Sequence, residues 1–304
     1  MITFDLHYHA NVYRSTAPGR RRRLAQHRET IKINGVDFLA STEHGYKRPL
    51  DAYLHLRDAL DDLPTQVLPG VEAVSEEGVD IIFLFRDEDD LRRGLKSLTP
   101  FEWSVWDSAA LGTDLGAITI IPHPFTPGRS GIVTQAGTKG LSTLLKSCDY
   151  VEAHNGSSLL LSKAVASKRR RIQSFIKERR EFERKVKYTY DLPKQFRPKG
   201  VGVVYSSDAH FPGQQMIFSA TDADLTADFD WFEFLAGRVC FERHIGELMD
   251  PRHRDAIPHS YADFTQTAMC VLGEAIQKKF QNQYQSAKKA TQKATRKASL
   301  RLAS

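Results

Sequence analysis

The sequence has few cysteines and no long apolar segment. Its 304 residues include three cysteines, Cys148, Cys240 and Cys270, which lie far apart and form no CxxC pair. This spacing indicates neither a zinc ribbon nor a disulfide framework, so we expect buried thiols. No apolar run approaches the roughly 20 residues that span a bilayer, and we therefore expect no membrane helix.

We also expect no secretory signal. The first residues, MITFD, include neither a basic lead nor an apolar stretch, so we expect a cytoplasmic location. The hydrophobic fraction of 41% is that of a globular protein. A chain of this length has room for one large barrel domain or for two ordinary domains.

Acidic residues are scarce in two segments that carry the positive charge. The formal net charge is +6. Residues 275–304 contain eight Lys or Arg and no acidic residue, and residues 163–199 contain fourteen basic residues against four acidic ones. The rest of the chain is consequently acidic. Such segments favour polyanionic partners, although a solvated helical face is their ordinary explanation.

Short apolar runs alternate with helix-like stretches. The apolar runs predict strands at residues 2–7, 36–41, 66–71, 79–85, 117–121, 150–153 and 202–206. The stretches between them predict helices at residues 21–34, 52–60, 89–97, 138–147 and 158–187. This alternation predicts an α/β fold with a parallel sheet, open or closed into a barrel. Residues 261–300 predict one long helix that ends in a basic tail.

Histidine and acidic residues stand at the ends of six predicted strands. The six segments are DLHYH at residues 5–9, STEHG at 41–45, PGVE at 69–72, IPHP at 121–124, VEAHN at 151–155 and SSDAH at 206–210. The carboxyl ends of the strands of a parallel barrel meet at one rim, where active sites are built. We therefore expect the six segments to lie together in space.

Two of these segments have the spacing of metal ligands. His7 and His9 are two residues apart on an extended strand, so both side chains point to one face, and Asp208 and His210 repeat this spacing. Imidazoles and carboxylates without thiolates suit zinc, manganese or iron. A carboxylate such as Glu72 can bridge two ions, and paired ions are common in phosphate-ester hydrolysis. Each motif alone has an ordinary explanation, such as helix capping, but together they predict a shared metal site.

The same motifs resemble those of the PHP (polymerase and histidinol phosphatase) family. They occur in the family's order over about the first 210 residues. The resemblance implies a distorted (β/α)7 TIM-like barrel over residues 1–260, with a basic helical insert at about residues 158–199 and a C-terminal basic helix and tail at 261–304. It also implies one to three divalent ions per chain, commonly Zn, Mn or Fe.

The resemblance also assigns the metal ligands. A first ion would be held by His7, His9, Glu72 and Asp208, a second by Glu72 and His123, and a third by His44 and His210. Two usual ligands are missing from this chain. The family has an acid or His shortly after the first HxH, where this chain reads NVYRS at 11–15, and a His in the strand after the Glu motif, where it reads IIFLF at 81–85. Occupancy of the second and third sites therefore stays open.

Three further residues are candidates for catalytic or supporting roles. Glu43 precedes His44 and is a candidate partner of the ligands or proton carrier, with an exposed rim carboxylate as the alternative. Glu152 and His154 are two residues apart on a strand and are expected on one face, as additional metal ligands or as residues behind the ligands. His154 could supply the missing imidazole or contact a substrate phosphate. A hydrogen-bonded histidine behind the ligands is the alternative.

Basic residues in the predicted rim loops are candidate phosphate ligands. They are Arg14, Lys47, Arg48 and Arg129. The chain contains 43 Lys and Arg, so some fall there by chance.

The motifs predict hydrolysis of a phosphate ester by a metal-activated water, on a nucleotide or nucleic acid. Residues 163–199 include Tyr188 and Tyr190 and can contact a phosphate backbone and stack on bases, and residues 275–304 can add affinity for nucleic acid. One alternative is a phosphomonoesterase of histidinol-phosphatase type that acts on a small metabolite. The other is a degenerate, noncatalytic PHP module that binds nucleic acid or a protein, because two usual ligands are missing.

Overall fold

The computed structural model describes most of the chain. The described residues are 1–12, 16–125, 130–156, 199–210, 214–215 and 217–247, with six single residues between 276 and 291. The predicted helix at 158–187 lies outside them, as do nearly all of the basic insert and most of the C-terminal tail. The six described residues of the tail have helical backbone. The domain boundaries stay predictions.

Within the described ranges, nine strands form one sheet that is nearly closed into a barrel. They are β1 (Ile2–Tyr8), β2 (Phe38–Ser41), β3 (Gln66–Val74), β4 (Asp80–Leu84), β5 (Ile118–Ile121), β6 (Tyr150–Asn155), β7 (Gly202–Ser206), β8 (Ile217–Thr221) and β9 (Glu242–Ile245). Their order in the sheet is β7-β6-β5-β4-β3-β2-β1-β8-β9. A bridge between Tyr8 and Ala209 joins the end of β1 to the residues after β7. The predicted α/β barrel class is confirmed, and all seven predicted strands are present.

The sheet is mixed, so the expectation of a wholly parallel barrel is wrong. β1, β2 and β3 run parallel, as do β5, β6 and β7. β4 is antiparallel to β3 and β5, and β8 is antiparallel to β1 and β9. Only residues 75–79 connect β3 to β4, and so short a link permits a hairpin, whereas a parallel crossover needs about a dozen residues.

Six helices are described around the sheet. They are α1 (Ala17–Asn34), α2 (Pro49–Ala59), α3 (Glu88–Ser97), α4 (Val105–Asp114), α5 (Ile132–Leu144) and α6 (Trp231–Ala236). Side chains cap several of their first turns: Asp87 accepts a hydrogen bond from Asp90 N at α3, and Ser104 accepts one from Asp107 N at α4. Gly35, with φ of 62°, ends α1 in the left-handed region that glycine adopts without strain.

The two faces of β1 separate the helical layer from the barrel interior. Phe4 and Tyr8 point toward the helices, where Phe4 stacks on Phe38 at 4.7 Å between ring centroids and Tyr8 contacts His27 of α1. His7, one residue from Tyr8 along the strand, points to the opposite face, which is the interior of the barrel. All five side chains are buried. The alternation therefore places polar residues of β1 inside the barrel.

Two further features of the described residues concern the cysteines and the possibility of a membrane helix. Cys148 is buried as expected, whereas Cys240 is exposed. Cys270 lies outside the described residues. No helix in the described part of the chain combines the length and the apolar character needed to cross a membrane.

Candidate metal centre

All seven predicted metal ligands lie in one cluster inside the barrel, at or just beyond the ends of strands. They are His7, His9, His44, Glu72, His123, Asp208 and His210. Five of them are buried, and His123 and His210 are half-buried. The expectation that the strand ends meet in space therefore holds for every one of these residues.

Three ligand atoms at the centre have the spacing of ligands on one ion. Nε2 of His7 lies 3.1 Å from Nε2 of His9. Oδ1 of Asp208 lies 3.3 Å from the first of these nitrogens and 3.2 Å from the second. Tetrahedral bonds of about 2.1 Å would separate ligand atoms by roughly 3.4 Å. His7, His9 and Asp208 could therefore hold a metal ion between them.

Glu72 lies between two further groups. Its Oε1 is 3.1 Å from Nε2 of His123 and 3.6 Å from Nε2 of His7. Its Oε2 is 2.5 Å from Nδ1 of His44 and 3.6 Å from Nε2 of His9. The two further groups that could hold a metal are His7, Glu72 and His123, and His9, His44 and His210. Glu72 thus faces both sides, as a bridging carboxylate does.

Two of the candidate ligands have strained backbone. His123 has φ of 29° and Asp208 has φ of 47°, both positive values that residues other than glycine rarely adopt. Asp208 is held in this conformation by its N–H, which donates to His7 O at 2.8 Å. Strain of this kind concentrates at functional sites, where surrounding contacts compensate for it.

Two buried carboxylates contact the imidazoles of His7 and His9 on the sides that face away from the cluster. Glu152 Oε1 lies 3.1 Å from Nδ1 of His7, and Glu43 Oε1 lies 3.5 Å from Nδ1 of His9. Each leaves the Nε2 atom of its histidine facing the cluster. Glu43 is fully buried, so the alternative of an exposed rim carboxylate is wrong. Its contact with the far side of His9 supports a positioning role.

His154 does not share a face with Glu152. In the pairing of β6 with β7, Glu152 lies opposite Val204 and His154 opposite Tyr205, with a bulge between them. Since Val204 and Tyr205 are adjacent and alternate in direction, the bulge turns His154 to the other face, and the expectation is wrong. His154 is buried and belongs to none of the three metal groups found among the described residues.

Two residues that the sequence reasoning did not single out support the cluster. The Asn155 side-chain amide donates to Glu152 Oε2 at 3.0 Å and to Asp208 Oδ2 at 2.9 Å. Asp5 accepts a hydrogen bond from Ser207 N at 3.0 Å and so fixes the turn before Asp208. Burial raises the pKa of Asp5 to about 6, although this hydrogen bond opposes the rise. Asp5 lies in the segment DLHYH and Asn155 in the segment VEAHN. Their polar side chains within predicted strands could have indicated that they support the site.

The cluster concentrates negative charge. Burial disfavours the charged form of His7, but Asp208, Glu152 and Glu72 outweigh it and raise the pKa of His7 to about 10. Burial would raise the pKa of Glu72 and of Asp208, yet the neighbouring histidines lower both pKa values well below the usual range. The site therefore favours positive charge at its centre, which protons or divalent cations can supply.

The candidate phosphate ligands have different surroundings. Lys47 is 1% exposed, and its Nζ lies 3.9 Å from Oε1 of Glu43. Arg48 is exposed and pairs with Asp51 at 3.8 Å. Arg14 and Arg129 lie outside the described residues. Phosphate binding by these four residues stays a prediction.

The comparisons with known proteins concern solved structures. No protein-family model matches the chain, and no curated protein matches it. The chain is similar to PsfC from Pseudomonas syringae PB-5123, with 16% identity over 76% of this chain and 87% of that one, at a TM-score of 0.46. It is also similar to the lesion-specific endonuclease PfuEndoQ from Pyrococcus furiosus, with 14% identity over 80% of this chain and 57% of that one, at a TM-score of 0.44.

A third similar structure is a two-domain protein from Bacteroides vulgatus that contains a predicted PHP-like metal-dependent phosphoesterase. Its identity is 13%, over 81% of this chain and 65% of that one, and the TM-score is 0.45. This chain thus spans less than two thirds of the second and third structures.

Proposed function

We propose that this chain hydrolyses a phosphate ester of a nucleotide or nucleic acid in a metal-dependent reaction. The observation that carries the proposal is the grouping of His7 Nε2, His9 Nε2 and Asp208 Oδ1 within 3.1 to 3.3 Å of one another. Histidine and carboxylate ligands suit Zn, Mn or Fe, and the three groups have places for one to three ions. A bound divalent ion supplies the Lewis acidity that activates water and neutralises phosphoryl charge.

The protein's own residues would orient the ligands and keep the site dry. Glu152 and Glu43 hold the imidazoles of His7 and His9, and Asn155 holds the carboxylate of Asp208. These supporting groups are buried, so water does not compete for their hydrogen bonds. Preorganised ligands of this kind spare the site reorganisation during the reaction.

The nucleotide or nucleic-acid part of the proposal is supported by charge. Residues 163–199 and 275–304 are strongly basic, and basic segments attract phosphate backbones. A monoesterase for a small metabolite would not need them. Both segments lie almost entirely outside the described residues, so this support comes from the sequence.

The test is manganese-dependent hydrolysis of a diester reporter, bis(p-nitrophenyl) phosphate, and a monoester reporter, p-nitrophenyl phosphate. We expect diester cleavage that Asp208→Ala abolishes and that Asp114→Ala, an exposed substitution at the end of α4, leaves unchanged. Preference for the monoester would favour the phosphomonoesterase alternative. Loss of both activities in a chain that binds metal would favour the noncatalytic module.

A further inference from the structure

The first turns of α1 contain a run of four arginines, Arg20–Arg23. Across its eighteen residues α1 has six Lys or Arg and a single acidic residue, Glu29. The run lies in the part of the chain before residue 163, which is acidic as a whole. It is therefore a local concentration of positive charge on an otherwise acidic body.

Three arginines of this run have no acidic partner in the described part of the chain. Arg20, Arg21 and Arg22 have no acidic partner within ion-pair distance among the residues that the structure describes. By contrast, Arg28 of the same helix pairs with Asp62, and Arg57 of α2 pairs with Glu88. Arg20 and Arg23 stand at the i, i+3 spacing at which like charges on a helix repel each other. An anionic ligand would remove that repulsion.

Two side chains of α1 are hydrogen-bonded to the residues that follow the candidate ligand His9. Arg23 Nη1 donates to Asn11 O at 2.5 Å, and His27 Nε2 lies 3.1 Å from Ala10 O. Ala10 and Asn11 directly follow the ligand His9. The helix that contains the arginine run is therefore bonded to the two residues that directly follow a candidate metal ligand.

A groove between α1 and α2 extends the basic surface. Its volume is about 410 Å³, and it is lined by basic residues together with apolar ones: Arg20, Arg21, Leu24, Ala25 and Arg28 of α1, and His55, Asp58 and Ala59 of α2. The single acidic side chain in the lining, Asp58, pairs with a neighbouring arginine at 3.2 Å. The groove therefore presents arginine side chains to whatever occupies it.

We propose that Arg20, Arg21 and Arg22 bind the phosphate backbone of a nucleic-acid strand whose scissile phosphate lies at the metal centre. The inference rests on the proposed function and names the surface that its substrate contacts. Guanidinium groups bind phosphates in a forked geometry, and Arg20 and Arg21 line one groove while the neighbouring Arg22 is exposed beside them on the first turns of α1. A metabolite with one phosphate, held at the metal centre, would leave these three arginines without a ligand.

The test compares two triple variants of the full chain in an Asp208→Asn background, so that the probe is not cut. One replaces Arg20, Arg21 and Arg22 with Gln, which retains helix propensity. The control replaces Arg92, Arg93 and Arg243 with Gln, the same change of charge at exposed positions of α3 and β9. Binding of a fluorescent 20-nucleotide DNA strand is measured across salt concentrations, with circular dichroism to confirm folding.

We expect the α1 variant to bind the strand at least about tenfold more weakly at low salt, and the slope of log affinity against log salt to fall by roughly 2. The control should keep the slope of the Asp208→Asn chain. An unchanged slope in the α1 variant, or an equal loss in the control, would overturn the inference. Equal weakening for a polyglutamate peptide would also overturn it, in favour of an acidic protein partner. Reporter hydrolysis tests the proposed function separately, so the two can fail independently.

Discussion

Glu152 Oε1 lies 3.1 Å from Nδ1 of His7, on the side of the imidazole opposite the cluster of candidate ligands. The other ring nitrogen, Nε2, is 3.3 Å from Asp208 Oδ1. A carboxylate behind an imidazole fixes both its tautomer and its orientation, and it makes the free nitrogen a better ligand. The pair therefore prepares His7 to bind a cation.

Replacing Glu152 with Gln should weaken metal binding about 10- to 100-fold. Glutamine keeps the shape of the side chain but removes the negative charge that aligns His7. Competition with a chromophoric chelator measures the affinity. Glu242→Gln, an exposed substitution on β9, should bind metal like the unmodified chain. Equal affinities in all three proteins would show that Glu152 does not position the ligand.

Divalent metal should stabilise the folded chain. The cluster buries the carboxylates of Glu72, Glu152 and Asp208 close together, and a ligand that binds only the folded state raises the unfolding free energy. At a metal concentration of 100 times Kd the gain is about 2.7 kcal/mol. We expect MnCl₂ to raise Tm in a thermal melt and a chelator to reverse the rise. Asp208→Asn should show little of it, whereas Asp114→Asn should respond fully; the same rise in both variants would argue against this site.

A buried histidine of α1 should make stability depend on pH. His27 Nε2 donates to Ala10 O, and its Nδ1 accepts from the Tyr8 hydroxyl, so the neutral imidazole satisfies both partners. Burial, together with the charge of Arg23, lowers the pKa of His27 to about 3 from 6.5. Between pH 3 and pH 6.5 the unfolded chain therefore binds a proton at His27, and the folded chain does not. The contribution to stability is complete above pH 6.5 and is lost as the pH falls toward 3.

This loss should amount to roughly 2 kcal/mol between pH 8 and pH 5. The measurement is urea unfolding at both pH values for the unmodified chain and for His27→Gln, whose amide can still donate to Ala10 and accept from Tyr8. The difference between the two pH values should shrink in this variant. His55→Gln, which alters a histidine on α2, serves as the control. A pH dependence that stays the same in His27→Gln would show that other groups cause it.

Much of the barrel could be predicted because its signals are local. Each of the seven predicted strands is a short apolar run, and each is present. The antiparallel direction of β4 could also have been predicted, because the five residues that link it to β3 are too few for a parallel crossover. β9 escaped prediction because its sequence, ERHI, is polar and three of its four residues are exposed. Helix α6 is only six residues long and gives little periodicity to read.

The candidate site, too, could be predicted only where its features follow from local sequence. His7 and His9 could be paired from spacing alone, because alternation on a strand is a local rule. The direction of His154 could not, because the bulge after Glu152 exists only in the pairing of β6 with β7. The role of Asn155 depends on Asp208, which lies 53 residues away in the chain. Contacts of that range follow from the closed sheet and not from any one segment.

Tyr46 should act as a positioning residue for His44. Its ring lies parallel to the His44 imidazole, at 5.1 Å between centroids and 8° between planes. Phe101 continues the stack at 6.1 Å from Tyr46, and it does so with φ of 63°, which is unusual for a bulky residue. Stacking of this kind restricts rotation of the imidazole without contacting the ion. The group of His9, His44 and His210 should therefore depend on it more than the other groups do.

Tyr46→Leu should lower the number of ions bound per chain while the tightest ion stays bound, whereas Tyr46→Phe, which keeps the aromatic ring, should retain the original number. Metal content after equilibration at fixed free Mn²⁺, measured by mass spectrometry, distinguishes the two variants. A structural collapse would instead release all ions and lower Tm in proportion, so a thermal melt of each variant is the control. If Tyr46→Leu binds as many ions as Tyr46→Phe, the stack does not position His44.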